Sequence, residues 1–180
     1  LIAEMLKAQG FTVHVGGTIG RALVPEIETI RPEDWAVVEL SSFQLISMRR
    51  SPKIAVVTNV TPNHLDHHGT MEEYIDAKKN IFLHQDGFSK TVLGWDNEVT
   101  QGFAPLIRGD LAAFSRRGPV RRGAWMDEGG VLWYAEEGEQ VRLMEASDIR
   151  IPGLHNVENM LAAISAVWGI VPLEQIRRVA

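Results

Sequence analysis

Two short apolar runs constrain the fold more than any other feature of this 180-residue chain. They occupy residues 35–40 (Trp-Ala-Val-Val-Glu-Leu) and 54–59 (Ile-Ala-Val-Val-Thr-Asn), and neither shows the polar–apolar alternation of a half-exposed strand. Continuous β-branched runs favour strands that are buried on both faces, as in a parallel sheet. We therefore predict that both runs form strands of this kind.

The remaining predicted elements surround these two runs. Further strands are predicted at residues 11–15, 91–93 and 112–114, and helices at residues 70–84 and 156–168. Alternating runs between residues 121 and 144, interrupted by glycine-containing turns, indicate antiparallel hairpins. The predicted fold class is α/β, with a mostly parallel twisted sheet flanked by helices and a small antiparallel β appendage.

The composition excludes several kinds of function. The chain has no cysteine, which excludes disulfides, a thiol nucleophile and cysteine-ligated metals. Its 18 Lys+Arg and 23 Asp+Glu give a formal net charge of -5, so no nucleic-acid partner is expected. The longest charge-free apolar stretch, residues 159–173, contains Gly169 and Pro172 and is too short to span a membrane. We expect a monomeric, cytoplasmic protein without a membrane partner.

Both ends of the sequence fall within predicted helices. A helical stripe of apolar side chains runs from Leu1 to Leu6 and stops at Gly10, with no N-cap residue before it. Residues 172–180 begin another helix. We therefore expect these 180 residues to be a piece of a longer protein.

Polar side chains follow the first apolar run. Glu39 ends it, and Ser41, Ser42 and Gln44 begin a short predicted helix. Ligands of open parallel sheets bind at the carboxyl ends of the strands, where a carboxylate can hold a cation and a helix N-terminus favours anions. A simpler alternative is that Glu39 only caps the helix. Its position at a strand end favours a functional role.

The densest group of potential metal ligands follows the second run and comprises His64, Asp66, His67 and His68. Oxygen ligands with one imidazole suit magnesium or manganese, whereas several imidazoles suit zinc. The segment matches part of the His-x-His-x-Asp-His pattern of zinc hydrolases, but Pro62 stands at the first histidine position. A solvated polar loop is the simpler alternative. We favour contact with a metal or a phosphate for His64.

Two further candidate sites rest on helical spacing. Lys78 shares a stripe with Tyr74 and Phe82, which favours partial burial, although an ordinary surface charge is the simpler interpretation. Asn156 and Asn159 share a helix face, where carboxamides can pair with a base edge, although an N-cap is the commoner role of asparagine.

A glycine-rich turn, Gly-Gly-Thr-Ile-Gly at residues 16–20, follows the first predicted strand. Glycine allows the backbone to approach a neighbouring group closely. The turn does not match the Gly-x-Gly-x-x-Gly fingerprint, and no Gly-x-x-x-x-Gly-Lys-Ser/Thr loop is present. The chain therefore lacks a recognisable phosphate-binding loop of its own.

Four of these segments together resemble the ATP-dependent Mur ligases of peptidoglycan synthesis. They are residues 39–45 (Glu-Leu-Ser-Ser-Phe-Gln-Leu), 59–66 (Asn-Val-Thr-Pro-Asn-His-Leu-Asp), 74–78 (Tyr-Ile-Asp-Ala-Lys) and 153–159 (Gly-Leu-His-Asn-Val-Glu-Asn). The first is typical of the members that add D-glutamate. The resemblance covers essentially the whole chain, residues 1–180, as a truncated P-loop-type central, ATP-binding domain. It implies that the phosphate loop, the N-terminal UDP-binding domain and the C-terminal D-glutamate-binding domain lie outside the sequence.

The resemblance also implies a reaction and its metal site. ATP phosphorylates the carboxylate of UDP-N-acetylmuramoyl-L-alanine, and the amine of D-glutamate attacks the resulting acyl phosphate. Two Mg²⁺ sites are expected, with Mn²⁺ as a possible substitute. By motif, Glu39 and His64 resemble magnesium ligands, and Lys78 resembles the lysine that this family carbamylates to support the second metal. These three residues are the expected catalytic group.

Binding residues are implied in the same way. Asn156 and Asn159, with His155 in the same motif, resemble the contacts to ATP. Ser41 and Gln44, together with Gly17 and Thr18 of the glycine-rich turn, would face the UDP-sugar. The family usually has asparagine where this chain has Thr18.

Three alternatives to a D-glutamate ligase fragment stay open at this point. The first is another Mur-type amide ligase. The second is a metal-dependent hydrolase built on His64, Asp66 and His67, which tight stoichiometric zinc would support. The third is a non-catalytic module that binds an adenine nucleotide without any other domain. The fragment itself is expected to be inactive as a ligase.

Overall fold

The computed structural model describes residues 1–18, 22–61 and 70–180, which contain three sheets. The first is a parallel pair, β1 (Val13–Gly17) and β2 (Trp35–Glu39). The second is parallel in the order β3 (Ile54–Val57), β4 (Lys90–Gly94) and β5 (Asp110–Phe114). The third is antiparallel, with β6 (Gly123–Met126), β7 (Val131–Glu136) and β8 (Glu139–Glu145).

Six α-helices accompany these strands in the described ranges: α1 (Ile2–Ala8), α2 (Ser42–Ile46), α3 (Met71–Leu83), α4 (Glu98–Gln101), α5 (Leu154–Val167) and α6 (Leu173–Val179). Short 3₁₀ helices occupy Val24–Thr29, Ala104–Leu106 and Ala146–Asp148. None of the helices described is long and apolar enough to cross a bilayer.

The core lies on two sides of the β3–β5 sheet because neighbouring strand residues point to opposite faces. Val92 packs with Met160 and Ile164 of α5, whereas Leu93 packs in a second cluster with Phe82 of α3 and Phe103. Helix α5 is apolar around most of its circumference, as expected for a helix surrounded by other elements. The sheet is therefore covered by helices on both faces, as predicted.

Local caps set the first residues of two helices. Thr70 caps α3 by accepting a hydrogen bond at Oγ1 from the N–H of Glu73 (3.1 Å). Helix α5 begins two residues earlier than predicted, and Gly153 takes the N-cap position. Asn156 therefore lies inside the first turn, and the alternative that it is an N-cap is wrong.

One prediction about the sheet is wrong. The apolar run at residues 35–40 does form β2, but Ala36 and Glu39 are exposed and Val38 is 41% exposed. The strand pairs with β1 on one side, and its other edge has no strand partner among the described residues. With no described strand along that edge, these side chains of β2 are open to solvent from one side.

A charged cluster joins the amino ends of β4 and β5 to the antiparallel sheet. Lys90 is the register partner of Asp110, whose carboxylate is paired with Arg122. The guanidinium of Arg122 also contacts Glu136 (3.1 Å). Burial lowers the pKa of Lys90 to about 8, although the nearby Asp110 charge acts in the opposite direction.

We expect the stability of the fold to rise with pH because of Lys90. Between pH 8 and 9.5 the folded protein releases this proton while the unfolded chain keeps it, so the free energy of unfolding increases, by about 1–2 kcal/mol. Urea titrations across this range should show the rise in the parent and not in Lys90→Met. If the free energy of unfolding changed with pH equally in the two proteins, the burial of this ammonium would be contradicted. The range ends below pH 10 because burial raises the pKa of Tyr134 to about 12, and the unfolded tyrosine titrates near 10.

Candidate functional site

The carboxyl ends of β1, β2 and β3 open into one cavity of about 640 Å³. It brings together Glu39 from the end of β2, Lys78 from α3 and Asn159 from α5. These three residues are separated by up to 120 positions in the sequence, and all three were predicted as site residues. The carboxyl edge of a parallel sheet is where ligands of such folds bind.

Glu39 is positioned by the close approach of the glycine-rich turn. Gly17 is its register partner on β1, and the N–H of Thr18 donates to the carbonyl of Glu39 (2.8 Å). A Cβ added at Gly17 would lie 2.0 Å from that carbonyl oxygen, and the φ of Gly17 is 113°. Only glycine fits here, which explains the glycine at position 17.

Lys78 lies partly buried in the cavity wall. Its Nζ is 5.3 Å from the centroid of the Tyr74 ring, a cation–π contact. Within the described ranges, no carboxylate lies within 4 Å of this ammonium. Neighbouring Lys79, by contrast, is paired with Asp76 at 2.7 Å. The two lysines therefore have different environments, and Lys78 is the one that faces the cavity.

Thr18, Ser41 and Gln44 form a hydrogen-bonded group beside the cavity, although they do not line it. The Oε1 atom of Gln44 accepts from Thr18 Oγ1 (2.7 Å), from the N–H of Ser41 (2.8 Å) and from Ser41 Oγ (3.1 Å). Ser41 and Gln44 make a complete capping box on α2. Hydrogen bonds thus connect the turn after β1 to the N-terminus of α2.

The residues predicted to contact the nucleotide lie in different environments at the start of α5. The carboxamide of Asn156 donates to the carbonyl of Pro152 (2.9 Å), and the His155 ring packs against Gly153. Neither side chain lines the cavity, whereas Asn159 does. The next turn is held by Arg116, whose Nε donates to Glu158 (3.0 Å).

Thr58 and Asn59, at the end of β3, also line the cavity, and neither was predicted as a site residue. Both could have been predicted as Glu39 was, because each is a polar side chain at the carboxyl end of a buried strand.

The predicted cluster of His64, Asp66 and His67 lies outside the described residues, as do Ile19 and Gly20 of the glycine-rich turn. In the part of the chain that the structure describes, no three His, Asp or Glu side chains converge closely enough to hold a metal ion.

Helices on both faces of a parallel sheet, with polar side chains gathered at the carboxyl ends of its strands, define an α/β domain of the class that binds ligands at that edge. Residues 1–167 match the family described as Mur ligase middle domain. The chain therefore belongs to the Mur ligase family, which confirms the resemblance of its motifs.

Its relatives include proteins named UDP-N-acetylmuramoylalanine–D-glutamate ligase. The one from Acetivibrio thermocellus is 48% identical over 180 residues, covering 100% of this chain and 38% of that protein. The one from Symbiobacterium thermophilum is 46% identical over 182 residues, covering 99% of this chain and 40% of that protein. The chain thus spans about two fifths of the length of these relatives.

Solved structures confirm the fold class. An UDP-N-acetylmuramate:L-alanyl-γ-D-glutamyl-meso-diaminopimelate ligase from Neisseria has a TM-score of 0.68 at 16% identity, covering 99% of this chain and 59% of its own. The MurF ligase from Thermotoga maritima, solved in complex with ADP, has a TM-score of 0.65 at 19% identity, covering 98% of this chain and 44% of its own. At these identities the likeness concerns the fold alone.

Proposed function

We propose that these 180 residues are the central domain of an ATP-dependent ligase that adds D-glutamate to UDP-N-acetylmuramoyl-L-alanine. The observation that carries this proposal is identity of 41–48% across the whole chain to proteins named for that activity. In this proposal, the phosphate loop, a UDP-binding domain and a D-glutamate-binding domain belong to the parts of the protein outside these residues.

The reaction we propose has two steps. The terminal phosphoryl group of ATP passes to a carboxylate oxygen of the UDP-sugar, giving an acyl phosphate and ADP. The amine of D-glutamate then attacks the acyl carbon, and phosphate leaves as the amide forms. Bound Mg²⁺ would neutralise the charge that develops on the phosphate oxygens. The role of the chain is to position these groups and to exclude water from them.

The donor groups of the cavity fit a magnesium site under one condition. Glu39 supplies a carboxylate oxygen, the kind of ligand that Mg²⁺ prefers. Lys78 as an ammonium would repel the cation, whereas its carbamate would supply a second oxygen anion. We propose that Lys78 is carbamylated in the working enzyme and that His64 is a further metal ligand.

For the substrates, we propose that Asn159, Asn156 and His155 contact the adenine end of ATP. The UDP-sugar would lie along the group formed by Gly17, Thr18, Ser41 and Gln44. Because Oε1 of Gln44 already accepts three hydrogen bonds, this side chain can offer a substrate its Nε2 donor. Thr18, already hydrogen-bonded to Gln44, would hold that amide in place.

The adenine assignment predicts a selective change in binding. In the full-length enzyme, Asn156→Ala and Asn159→Ala should each raise the KM for ATP several-fold, since one lost hydrogen bond is worth about 1 kcal/mol. The KM for D-glutamate should stay close to that of the parent. Steady-state kinetics with each substrate varied in turn would measure this. A rise confined to the D-glutamate KM would contradict the assignment.

The proposed function is tested by the substrate dependence of ADP release. The full-length protein should release ADP only when both UDP-N-acetylmuramoyl-L-alanine and D-glutamate are present, and neither L-lysine nor meso-diaminopimelate should replace D-glutamate. The 180 residues alone should release none. Turnover with one of the other amino acids would indicate a different Mur-type ligase, and tight stoichiometric zinc with no ADP release would indicate a hydrolase.

A further inference from the structure

Polar contacts connect the carboxyl ends of β4 and β5 to the start of α5. Asp96 follows β4, and its two carboxylate oxygens accept from Ser115 Oγ (2.6 Å) and from the backbone N–H of Arg116 (2.8 Å). The guanidinium Nε of Arg116 then donates to Oε1 of Glu158 in α5 (3.0 Å). Asp96, Arg116 and Glu158 are therefore linked in series, and we call these three residues the edge network.

The sheet end of the edge network is held by backbone pairing. Ser115, the residue before Arg116, is 4% exposed. Its N–H donates to the carbonyl of Ala124 (3.1 Å), and its carbonyl accepts from the N–H of Met126 (3.0 Å), both in β6. With Asp96 on one side and β6 on the other, the backbone from which the Arg116 side chain extends is fixed.

The helix end of the network has fewer attachments. Gly153 provides no side-chain cap for α5, and Val157 is the only buried residue among the described positions 154–159. Core packing therefore holds these first residues of the helix through a single side chain. The ion pair of Arg116 with Glu158, whose side chains are 25% and 35% exposed, adds a second attachment, and this one leads to the sheet.

The ion pair also sets the orientation of the helix start. Successive residues of an α-helix are rotated by about 100° about its axis, so Glu158 and Asn159 lie on different faces. Glu158 faces the end of β5, whereas Asn159 lines the cavity that also contains Glu39 and Lys78. A contact that fixes the rotation of α5 at position 158 therefore also fixes where the carboxamide of Asn159 lies.

We propose that Arg116 is a positioning residue for the nucleotide. Through Glu158 it holds the start of α5 so that Asn159 and Asn156 meet the adenine end of ATP. The role assigned to Arg116 rests on the proposed function, which places the nucleotide at these asparagines. It acts on binding because a contact group that is already held in place loses less freedom when the ligand binds.

Titration calorimetry of the full-length protein with ADP tests this role. Arg116→Gln and Glu158→Ala should each weaken ADP binding about three- to tenfold, near the lower end of the coupling between residues in contact because both side chains are partly exposed. The double variant should bind no more weakly than the weaker single variant, since both changes break the same contact. In steady-state kinetics the KM for ATP should rise by the same factor, while kcat and the KM for D-glutamate stay close to those of the parent.

The Glu158 variants separate positioning from a simple effect of charge. Removal of a carboxylate near the nucleotide would strengthen the binding of anionic ADP if only the electrostatic field mattered, whereas positioning predicts weaker binding. Glu158→Gln keeps an acceptor oxygen for Arg116 and should lie between the parent and Glu158→Ala. Arg117→Gln is the matched control: the residue is the next in the chain, exposed and of the same charge, and its loss should leave ADP binding nearly unchanged.

Unchanged ADP binding in Arg116→Gln and Glu158→Ala, or tighter binding in the latter, would overturn the positioning role. So would losses that add in the double variant, or an Arg117→Gln variant that loses as much as Arg116→Gln. The melting temperature of each variant shows that folded proteins are being compared. A parent protein that binds no ADP would refute the proposed function and the role of Arg116 with it, whereas equal ADP binding by parent and variants would refute the role of Arg116 alone.

Discussion

Replacing Lys78 by alanine in the full-length enzyme is expected to lower kcat by about a hundredfold or more, the loss that follows removal of one preorganised charge-stabilising group. The side chain faces the same cavity as Glu39, and no carboxylate within the described ranges neutralises its ammonium. Lys78→Arg should be no better than alanine, because arginine keeps a positive charge and cannot be carbamylated. Added formate or acetate should partly restore the alanine variant only. Initial rates of ADP release measure all three outcomes.

Lys79→Ala is the matched control for this prediction. Lys79 is the next residue of α3, carries the same charge, and is paired with Asp76 on the surface. Its loss should leave kcat nearly unchanged, since exposed ion pairs of this kind contribute little. Full activity of Lys78→Arg, or a larger loss from Lys79→Ala than from Lys78→Ala, would return Lys78 to the role of an ordinary surface charge.

The elements that the sequence predicts well are those fixed by local chemistry. Helix α3 forms within the predicted range 70–84 and is capped by Thr70, and the hairpins between residues 121 and 144 form β6, β7 and β8. Turn residues and caps act within a few positions, so their effect can be read without knowledge of the tertiary contacts. The burial of β2 was not predictable in this way, because it depends on the elements packed around the strand, and among the described residues only β1 pairs with it.

The site residues differ in the same way: some could be predicted from the local sequence, and others depend on tertiary contacts. The position of Glu39 at a strand end is a local property, and the stripe shared with Tyr74 indicated the partial burial of Lys78. The difference between Asn156 and Asn159 was not predictable from their spacing. It depends on the backbone before α5, where the carbonyl of Pro152 takes the carboxamide of Asn156 and leaves Asn159 at the cavity. Helical spacing fixes a shared face but not the partner that each side chain finds.

Gly17 provides the prediction with the largest expected effect on stability. In Gly17→Ala the new methyl group would lie 2.0 Å from the carbonyl oxygen of Glu39, and the backbone φ of 113° is one that alanine adopts only with strain. Backbone strain and overpacking each cost about 1–3 kcal/mol, so we expect the free energy of unfolding to fall by about 2–6 kcal/mol. Urea unfolding of the full-length protein, followed by a probe in this domain, measures the change.

Gly10→Ala separates the two causes. Gly10 has a similar φ of 99°, but no atom lies within 4 Å of the position that its Cβ would take. This variant should therefore lose only the strain energy, about 1–3 kcal/mol, and less than Gly17→Ala loses. Because the oxygen that clashes at position 17 belongs to Glu39, Gly17→Ala should also displace that carboxylate and lower kcat under conditions where the protein remains folded, whereas Gly10→Ala should not. Equal losses of stability in the two variants would show that the close approach of β1 to Glu39 is not what requires glycine at position 17.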